Sequence, residues 1–266
     1  MPANEEEVPA SQPDWALIMR DRMPDRGPRY TETPADPYAP DAPLIAEPWN
    51  TITASLFIWI VLWWAWRLRG RFRQYPFLVC CMPILLAGGI GGTLYHGTRA
   101  SVVYFLLDVI PISLLGLAGS LFMAFRFLGR RQLWLLPAVV VVYIVANQIL
   151  FSAVGRVSPQ LRINLSYASL AVLVLTPVVL VLIRTRFRHG GWVVAGLISF
   201  VFAWIFRLVD RDIGPYLAMG SHWLWHTFGA ISTALMVEYF YLVEGERTID
   251  GRTPTAREEV GSPPLP

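Results

Sequence analysis

Pro76–His96, PFLVCCMPILLAGGIGGTLYH, contains no charged residue before its closing histidine. About 20 apolar residues at ~1.5 Å of helical rise each cross the ~30 Å hydrocarbon layer of a bilayer. A segment in lipid must satisfy its own backbone hydrogen bonds, so this run predicts a transmembrane α-helix. Six more stretches of the same kind flank it: Trp49–Leu68, Ser101–Phe125, Leu133–Phe151, Ile163–Ile183, Gly191–Val209 and Leu217–Val243. Pro137 and Pro177 fall inside two of them, where a membrane helix tolerates proline as a kink. The expected fold is therefore all-α, a polytopic membrane protein with seven transmembrane helices and no internal repeat. The whole chain agrees, with 55% apolar residues and a mean hydropathy of +0.46.

Three regions follow. Residues 1–48 form an acidic, proline-rich segment with ten acids against four arginines and no cleavable signal peptide. Residues 49–243 form the membrane domain, and residues 244–266 a polar tail expected to be disordered. The adjacent Cys80 and Cys81 lie in an apolar run and read as packing residues. The net charge of +3 is uninformative, and no nucleic-acid partner is expected. Its distribution is more informative: the connections after the first, third and fifth spans carry Arg67, Arg69, Arg71 and Arg73, then Arg126, Arg130 and Arg131, then Arg184, Arg186 and Arg188, with no acid among them. By the positive-inside rule the N-terminus lies outside and the C-terminus in the cytoplasm, as in a bacterial inner-membrane protein.

Of the four histidines, His189 lies in a basic loop, while His96, His222 and His226 fall at the outer ends of the second and seventh spans. His222 and His226, in GSHWLWH, are four residues apart and share one helix face. Three imidazoles at one depth, with a fourth position for water, are the ligand set of a hydrolytic zinc centre in the outer half of the bilayer. Asp108 lies about two turns into the third span and is placed to take a proton from water or to orient a ligand ring. Its bland reading is a helix-packing hydrogen bond. Arg207 and Asp210, three residues apart, suggest an interfacial ion pair or a brace at the mouth of the site. Glu238, sixteen residues from His222, is too distant for that centre and reads as a snorkelling or packing residue.

The motifs resemble the alkaline ceramidase family and the wider CREST superfamily of seven-span intramembrane hydrolases, which includes the adiponectin-receptor-like proteins. The resemblance rests on EPWNT at Glu47–Thr51, TLYH followed by DVIP at Asp108–Pro111, and FRLVDRD leading into GSHWLWH, which is similar to the bacterial branch. It covers about residues 30–235. It implies a zinc ion held by His96, His222 and His226, Asp108 near the attacking water, and a sphingolipid or related N-acyl lipid drawn from the bilayer as substrate. The family places a serine four residues before the first histidine, where this chain has Gly92; Thr93 offers a partial substitute for the hydroxyl. The eukaryotic ceramidases also bind calcium through N-terminal acids. Glu32, in YTE, and Glu47 resemble part of that arrangement, with Asp25 as a further candidate, and the alternative is an acidic solvated tail.

The residues lead to the expectation of a zinc-dependent hydrolase and the resemblance alone implies a lipid amide as its substrate; Asp108 then takes the proton of the attacking water and returns it to the leaving amine. Two other classes stand beside it: a receptor or scaffold with structural zinc, and a membrane cytochrome using His96 with His222 or His226. The cytochrome is disfavoured because the latter two share one face. Acyl chain and oligomeric state are not encoded in any motif.

Overall fold

The computed structural model describes residues 25, 27–37, 39–128, 135–154 and 159–246. Among them every regular element is helical: α1 Pro48–Ala54, α2 Leu56–Leu68, a 3-10 turn at Phe72–Gln74, α3 Pro76–Thr98, α4 Val102–Leu128, α5 Leu135–Val154, α6 Pro159–Arg184, α7 Gly190–Leu208, α8 Asp210–Ile213 and α9 His222–Gly245. A helix occupies each of the seven apolar stretches. Four are long and apolar enough to cross a membrane: Pro48–Leu68, Pro76–Thr98, Val102–Leu128 and Gly190–Leu208, with a shorter apolar helix at Ala168–Arg184. Large apolar side chains point outward along them, Trp59 being 65% exposed and Val172 66%. Such surface is intolerable in water and ordinary against lipid, so this is a helical membrane protein.

The last helix starts at His222, five residues later than the hydropathy of Leu217–Val243 suggests. Gly220 is left-handed, at φ 63°, and a Cβ there would lie 2.3 Å from Asp210 Oδ1 and 2.6 Å from Thr31 Cβ. Only glycine meets both demands. Asp210 Oδ1 then accepts the backbone N–H groups of Ser221 and His222, at 2.7 and 2.8 Å, which supplies the cap that the Ser221 side chain does not. Ser221 Oγ instead donates to the Phe206 carbonyl and ties this start to α7.

In the bundle α9 packs on α7, α3 on α4, α4 on α6, and α1 on both α3 and α9. The two ends differ in chemistry. At the arginine-rich end an apolar core forms from Trp64, Leu68, Leu78, Met123, Val181 and Phe240 among others. Here Arg67 pairs with Glu238, the acid read from sequence as snorkelling or packing. Glu244, assigned by composition to the disordered tail, is instead within α9 and accepts the N–H groups of Phe77 and Leu78 at the start of α3. Residues 247–266 lie outside the described residues. At the opposite end the buried side chains are polar: Thr33, Glu47, Asn50, His96, Arg99, Asp210, Ser221, His222 and His226.

The contact of α3 with α4 depends on Gly91, where a Cβ would lie 2.4 Å from Leu107 Cβ and 2.6 Å from its backbone carbon. At Gly191 nothing lies within 4 Å. Gly91→Ala should therefore force the helices apart, costing about 1–3 kcal/mol and lowering the unfolding midpoint, while Gly191→Ala leaves it unchanged or raises it. Melting curves in detergent check this; equal midpoints for the two variants would contradict the packing.

Candidate metal centre

The end of α3 and the start of α9 bring the three histidines together, although 130 residues separate His96 from His226. One nitrogen from each of His96, His222 and His226 lies within 4.8 Å of the others, and all three residues are buried. Among the described residues this is the one cluster of three or more such side chains able to hold a metal. His96 Nε2 and His226 Nε2 are 3.1 Å apart. Two nitrogens on one tetrahedral zinc, each bonded at ~2.0–2.1 Å, are separated by about 3.3 Å. His222 Nδ1 is buried with no hydrogen-bond partner among the described residues. One nitrogen from each of three buried imidazoles, all within 4.8 Å of one another, fits a metal ion.

The orientation of His96 is fixed from behind. Its Nδ1 lies 2.5 Å from Glu47 Oε2, with both side chains fully buried. A carboxylate only accepts, so Nδ1 carries the proton and Nε2 presents its lone pair to His226 and His222. Glu47 also accepts from Thr33 Oγ1 at 2.5 Å, Asn50 Nδ2 at 3.1 Å and Arg99 Nη1 at 3.1 Å. Burial alone pushes its carboxyl up, but His96, Arg99 and Thr33 together hold it below the usual glutamate range. With a depressed folded-state pKa, the stability contributed by Glu47 is present at neutral pH and lost as pH falls through the acid range.

The segment 27–47 closes over the site. Tyr30 stacks on the His222 ring, centroids 3.7 Å apart and planes at 19°, and lies 5.4 Å from the His96 ring. Its neighbour Thr31 donates its N–H to Asp210 Oδ2 at 2.9 Å and its hydroxyl to the Asp210 carbonyl at 2.7 Å. Asp210, predicted to pair with Arg207, thus spends its carboxylate on backbone N–H groups and Thr31. Arg207 sits 5.6 Å from the Trp225 ring.

The N-terminal acids named as calcium candidates each meet partners within the chain. Glu32 accepts the N–H groups of Trp49 and Asn50, at 2.6 and 3.0 Å, and so caps α1, whose Pro48 has no N–H to offer. Glu47 is spent on His96 and its neighbours, and Asp25 faces Arg99. The positive charge that would draw these carboxylates together is already in the chain.

Asp108 lies against α3 beside Gly92, one turn before His96 on the same face: a Cβ at position 92 would be 2.6 Å from Asp108 Oδ1 and 3.4 Å from Ala54 Cβ. The room for a side chain at position 92 is therefore taken by the Asp108 carboxylate. Thr93 turns away, donating to the Gly89 carbonyl at 2.7 Å, and supplies no hydroxyl to the site.

Sequence reasoning assigned no role at the site to Tyr30, Arg99, Thr33 or Asn50. The one signal for them is the position of Glu47, an acid directly before an apolar span. No protein-family model and no curated protein matches the chain.

If Glu47 sets the tautomer of His96, Glu47→Gln should weaken zinc binding by about 10–100-fold, the usual cost of losing a ligand's outer partner. Alanine at His96, His222 or His226 should abolish stoichiometric binding. Metal analysis and competition with a chelating dye read both effects, and a calcium chelator should leave the melting curve unmoved.

Proposed function

We propose that this chain is a seven-span intramembrane amidohydrolase that uses zinc to cleave the N-acyl bond of ceramide or a related N-acyl lipid. The observation that carries the reading is three buried histidine nitrogens within 4.8 Å of one another, with the Asp108 carboxylate packed one helical turn away. Zinc in such a site acts as a Lewis acid and brings the pKa of water towards ~7. His96, His222 and His226 hold it, and Asp108 accepts the proton of the attacking water. As oxygen bonds to the acyl carbon and the C–N bond breaks, the same carboxyl returns the proton to the nitrogen, leaving a fatty acid and a free amine. The lipid-facing surface of the helices suits a substrate that arrives from the bilayer. The resemblance of EPWNT, TLYH with DVIP, and GSHWLWH to the alkaline ceramidases supplies the substrate class.

The topology belongs to the same reading. Ten arginines in the connections after α2, α4 and α6 support, by the positive-inside rule, a cytoplasmic position for that end and a histidine end in the outer half of a bacterial inner membrane. A cysteine at Ala100 should be labelled in intact cells by a membrane-impermeant reagent, and one at Arg73 should not. The reverse pattern would invert the protein.

A receptor or scaffold with structural zinc is the second reading, favoured by the absence of a hydroxyl at Gly92. Asp108→Asn separates the two. Asparagine keeps the size of the side chain and cannot accept a proton at neutral pH, so zinc content should be unchanged while turnover of an N-acyl lipid falls by ~10²–10⁴-fold. Equal turnover by wild type and variant would remove Asp108 from the chemistry. A zinc-loaded wild type that cleaves no N-acyl lipid would favour the receptor.

A further inference from the structure

Arg99 ends α3 in the left-handed conformation, at φ 51°. Glycine is the usual occupant there, because a Cβ is crowded in that region. The Arg99 side chain is fully buried, and a buried guanidinium is tolerated only where opposite charge and acceptors surround it. Its Nε lies 2.8 Å from Asp25 Oδ2, and its Nη2 donates to Asp25 Oδ1 and to the Pro28 carbonyl, each at 3.1 Å. Nη1 donates to Glu47 Oε1 at 3.1 Å, and the other Glu47 oxygen meets His96 Nδ1. The guanidinium carbon lies 4.4 Å from the Tyr95 ring and 5.8 Å from that of Tyr30, the residue stacked on His222. One planar fork therefore reaches both the segment that covers the histidines and the carboxylate that orients one of them.

We infer that Arg99 is a positioning residue of the metal centre, clamping Asp25 and Pro28, and with them Tyr30, over the histidines with one edge of its guanidinium and holding Glu47 against His96 Nδ1 with the other. The second half rests on the reading of the histidines as zinc ligands; the first does not. A lysine supplies the charge but not the fork, and reaches one carboxylate at a time. An ion pair that served only to stabilise the fold would act on zinc independently of Glu47, whereas a residue acting through Glu47 loses its effect once Glu47 is gone.

The test uses the full chain in lipid nanodiscs, as wild type, Arg99→Lys, Arg99→Gln, Glu47→Gln and the Arg99→Gln/Glu47→Gln double variant. Zinc affinity is read by competition with a chelating dye. Exposure of the covering segment is read as the rate of tryptic cleavage after Arg29, with and without zinc. Arg99→Gln should weaken zinc about tenfold, the low end for an outer partner, and the double variant should bind no more weakly than Glu47→Gln alone. Cleavage after Arg29 should be slow in wild type and at least tenfold faster in Arg99→Gln, whether or not zinc is present. Arg99→Lys should fall between them, and it keeps the test decisive if the glutamine variant does not fold. Unchanged zinc affinity, multiplicative losses in the double variant, or wild-type protection of Arg29 in both Arg99 variants would overturn the inference. A wild type that binds no zinc would sink the metal reading and the Glu47 half with it, while the cleavage rates would still judge the clamp.

Discussion

A carboxylate shut away from water must find its donors inside the protein or cost the fold several kcal/mol. Glu47 finds four: the Thr33 hydroxyl, the Asn50 amide, the Arg99 guanidinium and His96 Nδ1. Those partners come from the N-terminal segment, from α1, from the residue that ends α3 and from α3 itself. Adjacent backbone bonds run the same way, from Ala46 N–H to the Gly97 carbonyl and from Glu47 N–H to the His96 carbonyl. The first helix, the end of the second span and the covering segment thus share one acceptor, and the position of His96 follows from it. Asp210 has the matching role across the site, joining Thr31 to the first turn of α9 and so to His222.

The bundle divides its labour along its length. At the arginine end, apolar side chains such as Leu68, Met123 and Val181 bury together and hold the helices by area and shape. At the histidine end the buried side chains are polar, and hydrogen bonds and ion pairs among them offset the cost of desolvation. Glycines mediate between the two: Gly91 lets α4 approach α3, and Gly92 leaves the room that the Asp108 carboxylate fills.

The helices were legible in the sequence because lipid imposes long apolar runs, and the histidine trio because three of the four histidines fall at the ends of two apolar runs and two of them share a helix face. Asp108 was singled out as an acid inside an apolar run, and the structure puts its carboxylate beside Gly92. The covering segment was not legible. Ten acids and many prolines read as a solvated tail, and nothing local in YTE says that Tyr30 stacks on a ring 192 residues later or that Thr31 meets Asp210 at a separation of 179. Arg99 was not legible either, since a guanidinium in a short connection gives no sign of being buried. The partners of Asp210 were hidden for a related reason: spacing reveals a neighbour three residues away, while the backbone N–H groups of Ser221 and His222 carry no letter in the sequence.

The separation of 179 residues between Thr31 and Asp210 also orders the birth of the molecule. A chain made from its N-terminus delivers residues 25–47 first, yet their partners at Asp210 and His222 are among the last parts of the bundle to leave the ribosome. His96 can meet Glu47 early, but Asp210, which latches Thr31, comes 179 residues after it, and the other two imidazoles arrive together on the last helix. The histidine end is thus completed by the closing of the whole chain on itself. Without its last helix the chain keeps Tyr30 and His96 but has one histidine of the three and no His222 ring beneath Tyr30.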